Sequence, residues 1–266
     1  MHSNIYGQGM EYLTFDLLSN VPGLVHGFFT RHGGVSSKPY DSLNVSWNNG
    51  DSPQAVRENL ARVSGALGID RLVSGLQVHG DTLNIVGSDL IPEADDGLPL
   101  LVAPPGDALA TNLRGIGLLI KIADCQAIFL VDPETRVIAN IHSGWRGSVQ
   151  NIAGKVVVRL REQFGCDPGR MLAAVGPSLG PCCAEFRNFR DEIPPELWDY
   201  QVRPEYFDFW AITRRQLADA GIRPENMELA RRCTVCGAAD FFSYRGEHSP
   251  GRMAAVIGWK EDDRKA

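Results

Sequence analysis

The chain has 266 residues, with 26 Lys and Arg against 32 Asp and Glu (net charge −6), 44% hydrophobic residues, six His and six Cys. A globular chain of this size buries roughly 70–75% of the surface its unfolded form exposes, so its core needs no disulfides and one domain spanning 1–266 is expected. The acidic balance and the lack of a clustered basic stretch argue against nucleic acid and an anionic membrane as partners.

The most apolar stretch, Gly115 to Val131, is interrupted by Lys121 and Asp124 and falls short of the ~18 apolar residues of a membrane span. Met1 to Tyr12 carries Asn4 and Glu11 where a signal peptide needs an apolar centre, so a cytoplasmic protein with reduced thiols is expected. A four-copper oxidase needs about ten histidines to clothe its metals. Six scattered ones do not suffice.

In chain order, Val25 to Thr30 reads as a strand entering the turn Arg31-His32-Gly33-Gly34. Asp51 to Leu67 reads as a helix, with Ser52 as N-cap, Pro53 in the first turn and Val56, Leu60, Val63 and Leu67 near helical spacing. Gly117 to Asp124 is a nearly continuous apolar run and predicts a buried strand; Ala127 to Val131 is a second strand or its continuation. Val137 to Ile141 follows the turn Asp132-Pro133-Glu134 and completes a hairpin-like pair ending at His142. Ser148 to Phe164 predicts one helix, with Ile152, Val156, Leu160 and Phe164 at four-residue steps and Gly165 past its end. Met171 to Gly176 predicts a strand, Pro204 to Ala220 contains a helix, and Met253 to Ile257 is a late strand. The elements mix without a regular βαβ repeat, which points to α+β with mixed sheets flanked by helices.

Three residues pair the right chemistry with strand ends: His79 in Gln77-Val78-His79-Gly80, Cys125 in Ala123-Asp124-Cys125, and His142 in Ile141-His142-Ser143. Two imidazoles and a thiolate suit zinc, and three protein ligands leave a fourth tetrahedral position open, as in catalytic sites. The spacing matches no short metal motif, so a structural cysteine and two ordinary histidines remain open on spacing alone. Around His142, Gly144 and Gly147 admit close backbone approach, Trp145 offers a stacking face, and Arg146 stands at the start of a helix where an anion is favoured. Arg31, Arg245 and Arg252 lie in similar glycine-flanked settings. Asp124 is a candidate orienting residue or acid/base. Cys233 and Cys236 form a Cys-x-x-Cys that Cys182-Cys183 could complete, but an adjacent pair is poor chelate geometry, and buried thiols are the expectation.

Phe28 to Ser36, Ser42-Leu43-Asn44, Gln77 to Gly80, Ala123-Asp124-Cys125, His142 to Gly147, Gly176-Pro177-Ser178 through Cys182-Cys183, Cys233-Thr234 and Phe241 to Arg252 resemble, in order, the laccase-domain family. That family is also called multicopper polyphenol oxidase, or the purine nucleoside phosphorylases of that fold. The resemblance implies a single-domain α+β fold and a zinc ion held by His79, Cys125 and His142. It also implies phosphorolysis of adenosine, inosine and methylthioadenosine with purine nucleoside and phosphate as partners, and a related adenosine deamination. The His-x-Glu signature of zinc deaminases is absent.

Under that reading Arg31 and Arg146, aided by Arg245 or Arg252, hold phosphate. Gln126-Ala127 after Cys125, Ala184 after the Cys pair and Gly246 after Arg245 depart from the family's common residues. Two other chemistries use the same residues. Cys125 as nucleophile with His142 as base would give a metal-free amidohydrolase, in line with the peptidoglycan precursor editing of some members. Copper substituting for zinc would give a polyphenol oxidase activity.

Overall fold

The computed structural model describes residues 1–7, 9–90 and 100–261. Two mixed sheets pack face to face, with helices on both outer faces. The first sheet has seven strands in the order His2–Tyr6, Met10–Thr14, Leu24–Phe29, Met253–Trp259, Ile116–Ile122, Arg71–Gly75 and Leu100–Ala103. The second has six, in the order Met227–Leu229, Leu172–Val175, Gln126–Asp132, Val137–Ser143, Ala108–Thr111 and Leu83–Ile85. The expected α+β class holds.

Strand alternation sorts the core into layers. Leu118, Ile120, Ile122, Ala255 and Ile257 from the first sheet meet Ala127, Phe129, Val131 and Ile138 from the second. On the outer face of the first sheet, Leu119 and Val256 pack under Val56, Leu60 and Val63 of the helix Pro53–Leu67. On the outer face of the second, Ile128, Leu130 and Ile141 pack under Ile152, Val156 and Leu160. Asn140 is polar within the inter-sheet layer. Its Nδ2 donates to the carbonyls of Leu118 and Ala255, both at 2.8 Å, and so joins the sheets.

Ser52 caps the first long helix by accepting the Ala55 amide, and Gly68 ends it in the left-handed conformation, as the sequence signals require. The expected single helix Ser148–Phe164 is two: Trp145–Val149 and Ile152–Phe164. Asn151 separates them at φ 58°, a conformation asparagine tolerates, and its side chain caps the second helix by accepting the Gly154 amide. The run expected as a strand to Asp124 ends at Ile122, because Asp124 takes φ 89°. The chain there leaves one sheet and enters the other at Gln126, so Ala127–Val131 belongs to a second strand and Ala123-Asp124-Cys125 is the crossover.

Candidate functional site

The crossover meets the end of the hairpin. Gln126–Asp132 pairs antiparallel with Val137–Ser143, with His142 opposite Ala127, which sets His142 beside Cys125. His79 arrives from the loop after Arg71–Gly75. Gln77 secures that loop: its Nε2 donates to the Lys121 carbonyl at 2.7 Å and its Oε1 accepts the Lys121 amide at 2.9 Å. The Gln77-Val78-His79-Gly80 motif is thereby tied to the strand leading to Cys125.

The potential ligand atoms of His79, Cys125 and His142 all lie within 4.8 Å of one another. Cys125 Sγ is 3.9 Å from His79 Nε2, and the two imidazoles meet edge to face at 4.8 Å between centroids. His79 and Asp124 both hold positive φ, at 60° and 89°. Left-handed backbone at non-glycine residues is costly and gathers at functional sites. Gly144 allows the approach: a Cβ there would stand 2.8 Å from His79 Cδ2 and 3.2 Å from Cys125 Sγ.

The residue that organises the cluster is Asp107, which the sequence reading misses. It is fully buried at the start of the strand Ala108–Thr111. His142 Nδ1 donates to its Oδ1 at 2.7 Å, leaving Nε2 for the cluster. The amides of His79 (2.9 Å) and Gly80 (2.7 Å) donate to the same carboxylate, and the His142 amide donates to the Asp107 carbonyl at 2.6 Å. Burial by itself would raise the carboxyl's pKa, but the His142 and backbone hydrogen bonds outweigh it and hold it below the usual range. A carboxylate behind a ligating histidine fixes its tautomer and orientation. The only sequence signal was an aspartate between Gly106 and an apolar strand.

Charge within the cluster is coupled. Burial would raise the Cys125 thiol, yet the facing His142 and His79 bring it down to about 6. Burial would lower His142, yet Cys125 and Asp107 push it up to about 9. Cys125 and His142 thus each favour the other's charged form, and a cation bound there would require the thiolate and neutral imidazoles. Two nitrogens and a thiolate, with a buttressed histidine and an open side, fit zinc.

A cavity of about 640 Å³ opens over the three residues, within the range of small-molecule sites. Trp145, Phe186, Phe209 and Tyr244 give it aromatic walls, and Lys121, Arg146, Arg245 and Arg252 bring positive charge. Arg146 stacks on Trp145 at 4.6 Å. Arg252 is held by Nη1 hydrogen bonds to the Pro250 and Gly251 carbonyls, and its amide donates to Asn44 Oδ1 at 2.8 Å. Asn44, from the Ser42-Leu43-Asn44 motif, is buried and ties this arginine's segment to the 44–51 loop.

Arg31 does not line this cavity. Its Nη1 and Nη2 pair with the two Glu247 carboxylate oxygens at 3.2 Å each, and its Nε donates to the Asp41 carbonyl. In this structure its donors hold the short helix Tyr244–Glu247, which carries Tyr244 and Arg245 to the cavity, rather than turning toward it as a phosphate ligand would.

Asp124 is likewise engaged. Its Oδ1 accepts the Thr234 hydroxyl at 2.6 Å and its Oδ2 the Arg245 amide at 2.7 Å, so it orients the site's rim. Gln126 joins Phe209–Asp219 to the sheet by donating to the Phe209 carbonyl and accepting the Thr213 hydroxyl. That gives the departure after Cys125 a structural purpose.

The cluster at the crossover of two sheets, under an aromatic and arginine-lined cavity, defines a member of an enzyme-like family rather than a bare scaffold. The family model described as multi-copper polyphenol oxidoreductase laccase matches residues 25–260, and the chain belongs to that family. Among curated relatives, a protein named purine nucleoside phosphorylase YlmD from Geobacillus stearothermophilus is 35% identical over 254 residues, covering 90% of this chain and 92% of that one. A purine nucleoside phosphorylase from Deinococcus radiodurans is also 35% identical, over 88% of each chain. The solved structure of the Geobacillus YlmD superimposes with a TM-score of 0.83 at 32% identity, over 97% of this chain and 99% of that one. Among the described residues, no helix is long and apolar enough to cross a membrane.

Proposed function

We propose that this chain is a cytoplasmic, zinc-dependent purine nucleoside phosphorylase, its single domain spanning 1–266, that acts on adenosine, inosine and methylthioadenosine and also deaminates adenosine. The observation that carries the reading is the convergence of His79, Cys125 and His142, buttressed by Asp107, at the floor of an aromatic, cationic cavity. The names of the relatives support the substrate class.

Phosphorolysis joins a phosphate oxygen to C1′ of the ribose while the C1′–N9 bond breaks and its electron pair leaves with the purine. The reaction needs an anion pocket, a platform for the base and restricted water. Arg146 and Arg252 supply guanidinium groups at the cavity wall, with Arg245 at its rim. Trp145, Phe186 and Tyr244 offer faces for the purine. His79, Cys125 and His142 would hold zinc, which would supply Lewis acidity at the cavity floor. Asp107 keeps the His142 Nδ1 proton in place, and Asp124 positions Arg245.

The test is incubation of zinc-replete protein with adenosine, with and without phosphate, resolving adenine, inosine and hypoxanthine. Adenine that forms only with phosphate, and is lost in Cys125→Ala together with the metal, is the expected result. A fully active, metal-free Cys125→Ala overturns the reading.

A second reading is favoured by one arrangement: Cys125, His142 and Asp107 form a thiol–imidazole–carboxylate series, the geometry of a cysteine nucleophile with an oriented base. Iodoacetamide separates the two. A nucleophile is alkylated without metal removal, whereas a metal-held thiolate is protected until chelation.

A further inference from the structure

The four cysteines that the sequence pattern left as buried thiols come together. Cys182 and Cys183 lie in the turn after Gly180, Cys233 and Cys236 follow the strand Met227–Leu229, and the four Sγ atoms all lie within 4.8 Å of one another. An adjacent pair is poor chelate geometry by spacing, yet both sulfurs of Cys182-Cys183 reach the Cys-x-x-Cys, and Cys182 and Cys236 are exposed rather than buried. The structure supplies the chelate from two segments instead.

Those segments are joined by backbone pairing: Ser178 bridges Cys233 in parallel, with the Ser178 amide donating to the Arg232 carbonyl and the Thr234 amide to the Ser178 carbonyl, both at 3.1 Å. Gly180 permits the contact, since a Cβ there would stand 2.9 Å from Cys233 Cβ.

We infer that Cys182, Cys183, Cys233 and Cys236 hold a second metal ion, a tetrahedral structural zinc distinct from the open three-ligand cluster. With Zn–S bonds of about 2.3 Å, the sulfurs of a regular tetrahedron stand about 3.8 Å apart. Cys236 Sγ lies 3.5 Å from Cys182 Sγ and 3.6 Å from Cys183 Sγ. A disulfide needs about 2.05 Å and would use one of these two nearly equivalent pairs, leaving the other sulfur beside it. One sulfur flanked equally by two others is the face of a tetrahedron.

The backbone also holds the sulfurs in place. The Gly180 amide donates to Cys233 Sγ at 3.4 Å. Cys233-Thr234-Val235-Cys236 is followed by Gly237, whose amide donates to the Cys233 carbonyl and tightens the turn. Four sulfur donors and no open position specify a closed, structural site.

The ion would fasten the two segments that grip Asp124 beside Cys125: the Leu179 amide donates to the Asp124 carbonyl at 2.8 Å, and the Thr234 hydroxyl to its Oδ1 at 2.6 Å. It would thus act on the open cluster through Asp124 without touching substrate.

The experiment is elemental analysis of protein expressed with zinc and purified anaerobically, as wild type, Cys125→Ala and Cys182→Ser/Cys236→Ser. Two zinc ions per wild-type chain, with one lost in each variant, is expected. Cobalt-loaded Cys125→Ala should show the intense thiolate-to-cobalt charge transfer of a four-sulfur tetrahedron. Should the serine variant fail to fold, thiol counting on Cys125→Ala decides: zinc should protect four cysteines from iodoacetamide and chelation should expose them. No metal in Cys125→Ala, unchanged metal in a folded serine variant, or a Cys182–Cys236 disulfide in the anaerobic protein overturns the inference.

Discussion

His142 Nδ1 donates to Asp107 Oδ1 at 2.7 Å in a fully buried pair, and the same carboxylate accepts the His79 amide at 2.9 Å. One side chain thus orients two of the three clustered residues. Loss of such a carboxylate partner typically weakens metal binding by about 10–100-fold. Asp107→Asn, which keeps the size but presents an amide to the Gly80 and His79 amides, should weaken zinc binding by that factor in a chelator competition. An unchanged affinity in folded protein would separate Asp107 from the metal.

Gly144→Ala isolates the geometry of the cluster. Gly144 has φ −73° and ψ 174°, which alanine accepts, so the backbone gives no penalty. The added Cβ meets His79 Cδ2 at 2.8 Å and Cys125 Sγ at 3.2 Å. Activity should fall by about 10²-fold, the cost of a misplacement on the order of 1 Å, while the melting temperature stays close to wild type. Retention of full activity would mean that His79 can shift without consequence.

The hairpin, its end at His142 and the capped helix Pro53–Leu67 were legible because each rests on local signals: apolar runs, a Ser-Pro start, a turn. His79, Cys125 and His142 stood out at strand ends, but their meeting rested on the family resemblance. The layering was not. Met253–Trp259 inserts between Leu24–Phe29 and Ile116–Ile122, a long-range pairing that no local period encodes. The Arg31–Glu247 pair was not legible because a glycine-flanked arginine looks alike whether it faces a cavity or a distant carboxylate. Asp107 escaped for the same reason: its partners are distant in sequence and are specified only by the folded sheets. The meeting of Cys182-Cys183 with Cys233 and Cys236 was conceivable from sequence, but only the fold brings the sulfurs together.

His26 makes stability depend on pH. It is buried, its Nε2 accepts the Phe15 amide at 2.8 Å, and burial pushes its pKa down from 6.5 to about 4. The unfolded chain therefore binds the proton more readily. Its neutral-state contribution is fully present above pH 6.5 and declines as the pH falls toward 4, by about 2 kcal/mol at pH 5 and about 3 kcal/mol in full. Denaturant unfolding of wild type and His26→Gln at pH 7.5 and pH 5 should show the variant losing less on acidification. Parallel losses in the two would remove His26 as a source of the pH dependence.

Asn140→Ala should test the tie between the sheets. It removes two 2.8 Å hydrogen bonds to the Leu118 and Ala255 carbonyls and leaves a void in the inter-sheet layer. Two hydrogen bonds at about 1 kcal/mol each plus the void give a loss of about 2–4 kcal/mol, read as a lower denaturation midpoint. A change below about 0.5 kcal/mol would show that the sheets need no polar tie.

Arg31 and Arg146 separate scaffold from anion pocket. Arg31 faces Glu247 with its donors used, whereas Arg146 is exposed at the cavity wall over Trp145. Arg146→Met should raise the KM for phosphate by roughly 10-fold or more, as expected when a charge-assisted hydrogen bond worth about 1.5–3 kcal/mol is lost, with little change in melting temperature. Arg31→Met should do the reverse, because it frees Glu247 and loosens the helix that carries Tyr244 and Arg245. Steady-state kinetics at varied phosphate and a thermal melt on each variant decide the assignment. If phosphate KM rises with Arg31→Met and stays level with Arg146→Met, the sequence expectation for Arg31 stands and the side chain must leave Glu247 when phosphate binds.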